Sequence, residues 1–216
     1  MSEIKLEYTQ VFGFKAALRG MRNAHSSWNK SDSQYHHTWF TSPYEQFGWG
    51  IDIDVPECPC IGPNDLELCK KLIRGGPEHA KFLRQIQVWV DITIPRFLWQ
   101  ELDTYKIATV RNSCSTRASE LKKRAFTENN FIYRDVDSAT LDELNYLAEQ
   151  GKQDKDCLRK LKRRLPEGYL QKATYSLNYQ NVGNVRHQRK SHWLKEWQVI
   201  IQWIDRLPYA KKFFIQ

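Results

Sequence analysis

The chain has 216 residues, of which 41% are hydrophobic and 13% aromatic, with eight tryptophans. This composition is typical of a single globular domain over residues 1–216 and excludes a disordered chain. No apolar run approaches the roughly 18 residues that cross a bilayer, and the N-terminal MSEIKLEYTQ lacks the apolar core of a signal peptide. We therefore expect a cytoplasmic protein without a membrane partner.

The charge balance favours an anionic partner. Thirty-three Lys and Arg residues against twenty-five Asp and Glu residues leave a formal net charge of +8, which suits a nucleotide, a folate or a nucleic acid without choosing among them. Five cysteines without an export signal predict free thiols. Cys58 and Cys60 have no second ligand pair at zinc spacing, so no metal site is predicted.

The N-terminal third of the chain predicts a strand, a helix and a long irregular region. Alternation of apolar and polar residues indicates the strand at residues 4–12, and FKAALRGMR indicates the helix at residues 14–22. Residues 23–34 are rich in Ser and Asn, which is typical of a loop. Residues 35–63 combine histidines and aromatic residues with Gly and Pro, so we expect an irregular or hairpin region packed by its rings.

The middle of the chain predicts a helix, a strand and a second helix in succession. Asn64 or Asp65 is the predicted cap of the first helix, which ends at a Gly-Gly pair. Apolar residues alternate over residues 86–94, as in a strand with one buried face. Pro95 then suits the first turn of a helix over residues 96–108.

The C-terminal half predicts mostly helices. Residues 119–165 are dominated by Lys, Glu, Asp and Leu, which indicates two exposed helices separated near Gly151. A further helix is predicted over residues 169–185, and Ser191 is the predicted cap of a last helix over residues 192–207.

The stretch NYQNVGNVRHQRKSHWLKE, residues 178–196, places amides, cations and histidines among helix-forming residues. Read as one helix at about 100° per residue, it has a narrow polar stripe beside an apolar stripe of Trp193, Trp197, Ile200 and Ile204. The narrow stripe contains Asn178, Val185, Arg189, His192 and Glu196. A solvated basic face is the alternative interpretation, but the asparagines on either side of Gly183 favour the edge of a pocket.

The order of residues in this stretch resembles the C-terminal signature of the flavin-dependent thymidylate synthases, with one residue fewer between the arginine and the histidine. The matching residues are Asn178, Asn184, Arg189, His192 and Glu196. Upstream, Asn112, Ser115 and Arg117 keep the spacing of the N-x-x-S-x-R segment of the same family. The resemblance covers roughly residues 64–118 and 165–210. It implies an α/β (α+β) fold, with an antiparallel or mixed sheet flanked by long helices, and a homotetramer.

The same resemblance implies reductive methylation of dUMP to dTMP, with FAD as cofactor and methylenetetrahydrofolate and NADPH as co-substrates. Arg189 would face the uracil ring and Ser115 would contact the nucleotide, and these are the implied catalytic residues. Arg117 and Lys162 would hold the phosphate. The implied cofactor-binding residues are His79, Thr104, Tyr105, Lys106, Asn178, Asn184 and His192.

Four residues depart from the family pattern. Thr104, Tyr105 and Lys106 stand where the family has Arg-His-Arg, so one cation remains and the tyrosine can stack where the histidine did. Glu101 replaces a glutamine that faces the nucleotide. A carboxylate there accepts a hydrogen bond from an amino group such as that of cytosine, so a dCMP-type substrate stays open.

Two alternatives to thymidylate synthesis remain at the level of sequence. One is a flavin-dependent hydroxymethylase that acts on dUMP or dCMP. The other is a non-catalytic protein that binds nucleotides or nucleic acid through the basic residues 158–195, although nucleic acid is the less favoured partner. Flavin colour in the purified protein separates the enzymes from the binding protein.

Overall fold

The structure is a computed structural model that describes residues 4–36, 53–54 and 58–215. The strands of these ranges are β1 (Lys5–Phe12), β2 (Gln34–His36), β3 (Ile53–Asp54), β4 (Cys58–Cys60), β5 (Gln87–Pro95), β6 (Val110–Ser113) and β7 (Leu170–Asn178). Five strands form one sheet in the order β3-β1-β5-β7-β6, with β3 parallel to β1. The other two, β2 and β4, pair antiparallel.

Helices occupy much of the remaining described chain. They are α1 (Phe14–Met21), α2 (Pro63–Arg74), α3 (Arg96–Leu102), α4 (Ala118–Leu121), α5 (Ser138–Gln150), α6 (Lys155–Arg164), α7 (Tyr179–Arg189), α8 (Glu196–Arg206) and α9 (Ala210–Phe214). Within the described ranges, no helix combines the length and the apolar character needed to cross a bilayer. The predicted α/β class with a sheet and accompanying helices is confirmed.

The chain divides into two compact units. Unit 1 contains Met1–Lys5, Ile92–Thr104 and Arg111–Thr174. Unit 2 contains Leu6–Asp91, Tyr105–Val110 and Tyr175–Gln216. That the whole chain behaves as one domain stays a prediction.

The predictions for β1, α1 and β5 are confirmed. In and just before β5, the alternation of apolar residues predicts which side chains are buried: Ile86, Val88, Val90, Ile92 and Ile94. The predicted hairpin region contains the β2–β4 pair, and most of its remaining residues lie outside the described ranges. The four cysteines that the structure describes fully are free, as predicted.

The charged segment of unit 1 forms its own core between α5 and α6. Asp137 caps α5 by accepting a hydrogen bond from Thr140 N at 2.7 Å, and Gly151 ends the helix as predicted. The buried residues of this core are Leu121, Phe126, Phe131, Leu144, Leu147, Ala148, Leu161, Leu165 and Tyr169. The segment is therefore a packed layer whose charges face outward.

The helix predicted over residues 169–185 is wrong. Its first part is β7, and α7 starts only at Tyr179, whose N–H donates to Ile86 O at 3.0 Å. In β7, Ala173, Tyr175 and Leu177 are buried while the residues between them are more exposed, which is the period of a strand. We attribute the error to the helix-compatible composition of this segment, which hid the alternation.

The single helix read across residues 178–196 is also wrong. Asn178 is the N-cap of α7, α7 ends at Arg189, and α8 begins at Glu196, so no continuous polar stripe exists. Trp193 falls in the connection and is 81% exposed, whereas the other residues of the predicted apolar stripe are buried. Ser191 is not the cap of α8. The N-cap of this helix is Lys195, whose side chain makes no capping hydrogen bond.

The start of α2 and the end of α3 both differ from the predictions. The N-cap of α2 is Gly62, and the carboxylate of Asp32 accepts hydrogen bonds from Asn64 N at 2.9 Å and Asp65 N at 3.1 Å. Asn64 and Asp65 are therefore not the cap of α2. Their backbone N–H groups are instead capped by a carboxylate from an earlier part of the chain. Helix α3 stops at Leu102 and not at residue 108, and the Thr104 hydroxyl donates to Glu101 O at 2.7 Å just past its end.

Candidate functional site

A polar cavity of about 500 Å³ lies within unit 1. Helix α3 supplies Arg96, Gln100 and Asp103, whose spacing of four and then three residues places them on one helix face. Strand β6 supplies Arg111 and Ser113, and the loop after it supplies Ser115, Thr116 and Arg117. Helix α6 and strand β7 complete the lining with Lys162 and Gln171.

Two of the four cations in this cavity are neutralised by carboxylates. Arg96 donates to Leu165 O at 2.6 Å and pairs with Glu167 at 3.2 Å. Arg111 pairs with Asp103 at 2.7 Å, and its guanidinium carbon lies 4.8 Å from the centre of the Trp99 ring. Burial raises the pKa of the Asp103 carboxyl, and the charge of Arg111 opposes that rise.

The other two cations carry no carboxylate partner within the described ranges. The Lys162 ammonium donates to Thr116 O at 2.8 Å and to Thr116 Oγ1 at 2.9 Å. Burial lowers the pKa of Lys162, and the nearby charge of Arg96 adds to this effect. The exposed Arg117 guanidinium has no partner among the described residues, while its backbone N–H donates to Ser115 Oγ at 3.1 Å. The cavity therefore offers two uncompensated positive charges beside a hydroxyl.

A second group of predicted residues lies in unit 2. The Arg189 Nε donates to the Tyr105 hydroxyl at 3.0 Å, and that hydroxyl lies 3.0 Å from Gln188 Oε1, to which it donates. The Arg189 guanidinium carbon lies 4.9 Å from the centre of the Trp197 ring. His192 contacts the same ring edge-on, with the two ring centres 6.2 Å apart. This cluster combines three rings with one cation.

The backbone beside this cluster is held by Asn181, which the sequence reasoning missed. Its side-chain amide donates to Ile107 O at 3.0 Å and to Tyr105 O at 3.4 Å. The residue is only 7% exposed. The available signal was a third asparagine between the two that match the family signature, at a position where asparagine is a poor helix former.

The remaining predicted cofactor residues of unit 2 have different surroundings. Asn178 is 3% exposed, and its side-chain oxygen accepts the N–H of Asn181 at 3.0 Å as the cap of α7. Asn184 is exposed on the same helix. His79 and Lys106 are also exposed.

Two predicted residues stand at the end of α3. Thr104 is exposed and bonded to the backbone of Glu101. Glu101 is half-buried and is not one of the described residues that line the unit 1 cavity, whereas Gln100 and Asp103 are. Gln100 and Asp103 were not assigned from the sequence, because the family resemblance places the residue that faces the nucleotide at Glu101.

Within the described ranges, no three His, Cys, Asp or Glu side chains lie close enough together to bind a metal ion.

The predicted site residues form two groups. Ser115, Arg117 and Lys162 line the cavity of unit 1, and Tyr105, Arg189 and His192 belong to the cluster of unit 2.

Solved structures that share the fold of this chain include the following two. One is thymidylate synthase X (ThyX) from Helicobacter pylori with FAD and dUMP, at 20% identity and a TM-score of 0.66, covering 100% of this chain and 98% of that chain. The other is the flavin-dependent thymidylate synthase ThyX from the same organism complexed with FAD and dUMP, at 20% identity and a TM-score of 0.67, covering 99% and 98%. No protein-family model and no curated protein matches the sequence. At this identity the likeness establishes the fold.

Proposed function

We propose that this chain is a FAD-dependent enzyme that adds a one-carbon unit to C5 of a pyrimidine deoxynucleotide. The reference reaction is the reductive methylation of dUMP to dTMP with methylenetetrahydrofolate and NADPH. The observation that carries the proposal is the unit 1 cavity, in which Ser115, Arg117 and Lys162 line one space. The shared fold with two solved structures that contain FAD and dUMP supports it.

The cavity suits a phosphate monoester. A phosphate monoester carries about 1.5 to 2 negative charges at neutral pH. Arg117 and Lys162 supply two positive charges that no described carboxylate neutralises. Arginine binds a phosphate through two parallel hydrogen bonds, whereas lysine acts as a point charge, so the two side chains have complementary tasks. The Ser115 hydroxyl adds a donor on the same loop.

The unit 2 cluster has the chemistry that a flavin cofactor requires. A planar ring system with acceptors at its edge binds between aromatic side chains and cationic donors. Tyr105, His192 and Trp197 supply rings, Lys106 of the same unit supplies an exposed cation, and the exposed amide of Asn184 is available on α7. When bound and reduced, FAD supplies the hydride of the reaction.

The protein groups act mainly by binding and polarising. In the proposed reaction the C5–H bond and both folate C–N bonds of the methylene group break, a C5–carbon bond forms, and a hydride reduces that carbon to methyl. Negative charge develops on the pyrimidine carbonyl as C5 attacks, and the family resemblance assigns its stabilisation to Arg189. The Nε hydrogen bond to Tyr105 and the contact with Trp197 hold the guanidinium for this task.

We also propose that the active form is a homotetramer. Among the described residues, four large apolar or aromatic side chains are more than two-thirds exposed: Tyr8 at 69%, Ile107 at 83%, Val110 at 68% and Trp193 at 81%. Contiguous apolar surfaces are typical of interfaces between subunits, and these are side chains that such an interface would bury. Light scattering at micromolar concentration tests the assembly, and a monomeric mass would contradict it.

The experiment that tests the function uses the purified protein. Flavin absorbance and release of FAD on denaturation are expected, followed by turnover of dUMP with methylenetetrahydrofolate and NADPH. Mass spectrometry of the product separates methylation from hydroxymethylation. A colourless protein without turnover, whose affinity for DNA falls steeply with salt, would overturn the proposal in favour of a nucleic-acid-binding protein.

A further inference from the structure

Each glutamine of the unit 1 cavity uses one N–H of its side-chain amide within the protein. Gln100 Nε2 donates to Glu167 Oε2 at 2.9 Å, and Gln171 Nε2 donates to Cys114 O at 2.8 Å. A carboxylate and a carbonyl only accept hydrogen bonds, so these contacts fix which end of each amide is nitrogen. Each glutamine therefore keeps its carbonyl oxygen, to which no described residue donates.

Asp103 leaves a third acceptor in the same cavity. Its Oδ2 is taken by Arg111 at 2.7 Å, and Arg111 is held against the ring of Trp99. No residue in the described ranges donates to its Oδ1. The cavity therefore contains three side-chain oxygens to which no described residue donates: Gln100 Oε1, Gln171 Oε1 and Asp103 Oδ1.

Pyrimidine bases differ in what they offer to such acceptors. Uracil presents one ring N–H between two carbonyl oxygens, and a carboxylate that reaches the N–H also approaches both carbonyls. Cytosine presents an exocyclic amino group with two N–H donors, and one of them points away from every ring acceptor. A site that hydrogen-bonds a particular group rejects an analogue that lacks it, because the site's polar atoms then stay unpaired.

We propose that the unit 1 cavity selects a 4-aminopyrimidine deoxynucleotide, of the dCMP type, over dUMP, with Asp103 and Gln100 as the residues that accept the amino group. This inference rests on the proposed function, which places a pyrimidine nucleotide in this cavity with its phosphate at Arg117 and Lys162. It adds a specificity that neither the fold nor the phosphate contacts determine.

Calorimetric titration of dCMP and dUMP into the full-length protein, as purified with any bound cofactor, tests the proposal. The wild type is expected to bind dCMP at least about tenfold more tightly than dUMP. Asp103→Asn is expected to remove most of that preference, because an amide can turn a donor toward the carbonyl of uracil. The matched control is Asp142→Asn, an exposed acid on α5 of the same unit, which should keep the preference.

Circular dichroism shows whether Asp103→Asn is folded. Gln100→Met is the second variant, which tests the inference if Asp103→Asn is unfolded. It removes one acceptor from an exposed position and is expected to reduce the preference for dCMP severalfold. Equal or tighter binding of dUMP by the wild type would overturn the inference and leave the proposed function intact. A preference that survives both variants would also overturn it. Failure of both nucleotides to bind the wild type would overturn the inference and the proposed function together.

Discussion

The two units hold their arginines in different ways. In the unit 1 cavity, Arg96 and Arg111 each pair with a carboxylate, while Arg117 has no carboxylate partner among the described residues. In the unit 2 cluster, Arg189 contacts a phenol hydroxyl and two aromatic rings. A paired arginine is neutralised and organises its surroundings, whereas Arg117 keeps its charge for a ligand.

Unit 2 also contains the opposite case, a buried arginine that is fully paired. Arg22 donates to Asp65 at 2.6 Å, and the hydroxyls of Ser31 and Ser33 donate to the same carboxylate at 2.6 and 2.5 Å. The two charged side chains are 5% and 0% exposed. This network joins the loop after α1 to α2. The comparison therefore separates cations that stabilise the fold from cations that face a ligand.

The largest effect is expected from breaking the buried pair. Asp65→Asn should lower the free energy of unfolding by about 3–5 kcal/mol, because it leaves Arg22 buried without its counter-charge. Chemical denaturation measures this change. Glu120→Gln removes one partner of the exposed pair with Lys123 and should cost under about 1 kcal/mol. Equal effects of the two substitutions would contradict the comparison.

The same carboxylate predicts a pH dependence. Burial acts to raise the pKa of Asp65, but hydrogen bonds from Ser31, Ser33 and Arg22 outweigh it, so the pKa lies below its ordinary value of 3.8. A depressed pKa in the folded state contributes stability above pH 3.8 that is lost as the pH falls through the folded value. Unfolding measured from pH 6 downward should show this loss, and Asp65→Asn should reduce it.

The next largest effect is expected at Arg189. Arg189→Ala should reduce turnover by about 10²–10³-fold, as the loss of one preorganised electrostatic contact to the transition state does. The bound flavin should remain, because Tyr105 and Trp197 stay in place. Lys190→Ala removes an exposed cation from the end of the same helix and should leave turnover unchanged. Activity of Arg189→Ala within a few-fold of the wild type would remove this residue from the site.

A smaller effect is expected at Arg117. Arg117→Ala should weaken binding of a nucleotide monophosphate about ten- to a hundredfold, since a charge-assisted hydrogen bond contributes about 1.5–3 kcal/mol. Calorimetry with the nucleotide and with its nucleoside measures the change, which should appear only with the phosphorylated form. Lys160→Ala removes an exposed charge from α6, outside the cavity, and serves as the control.

The smallest effect is expected at Lys106, the one cation left where the family has two arginines. Lys106 is exposed, so Lys106→Ala should weaken FAD binding about tenfold through the loss of one charged contact. Flavin fluorescence on dilution measures the release. Lys211→Ala, another exposed lysine of unit 2, should leave the affinity for FAD unchanged. Unchanged flavin affinity in Lys106→Ala would mean that the altered motif takes no part in the cofactor site.

The sequence by itself determined the elements whose signals are local. The alternation over β5 and the helix end at Gly151 both depend on residues within a few positions of one another. The spacing of Ser115 and Arg117 on one short loop belongs to the same class, because no distant contact is needed to bring them together. Such patterns survive without knowledge of the fold.

Only the tertiary structure decided the partners that come from distant parts of the chain. Arg189 and Tyr105 are 84 residues apart, and Lys162 is 46 residues from Thr116, so their hydrogen bonds follow from how strands and helices pack. The change from helix to strand over Leu170–Asn178 has the same cause, since its neighbours in the sheet are distant in sequence. Local propensity is a weak term that such packing overrides.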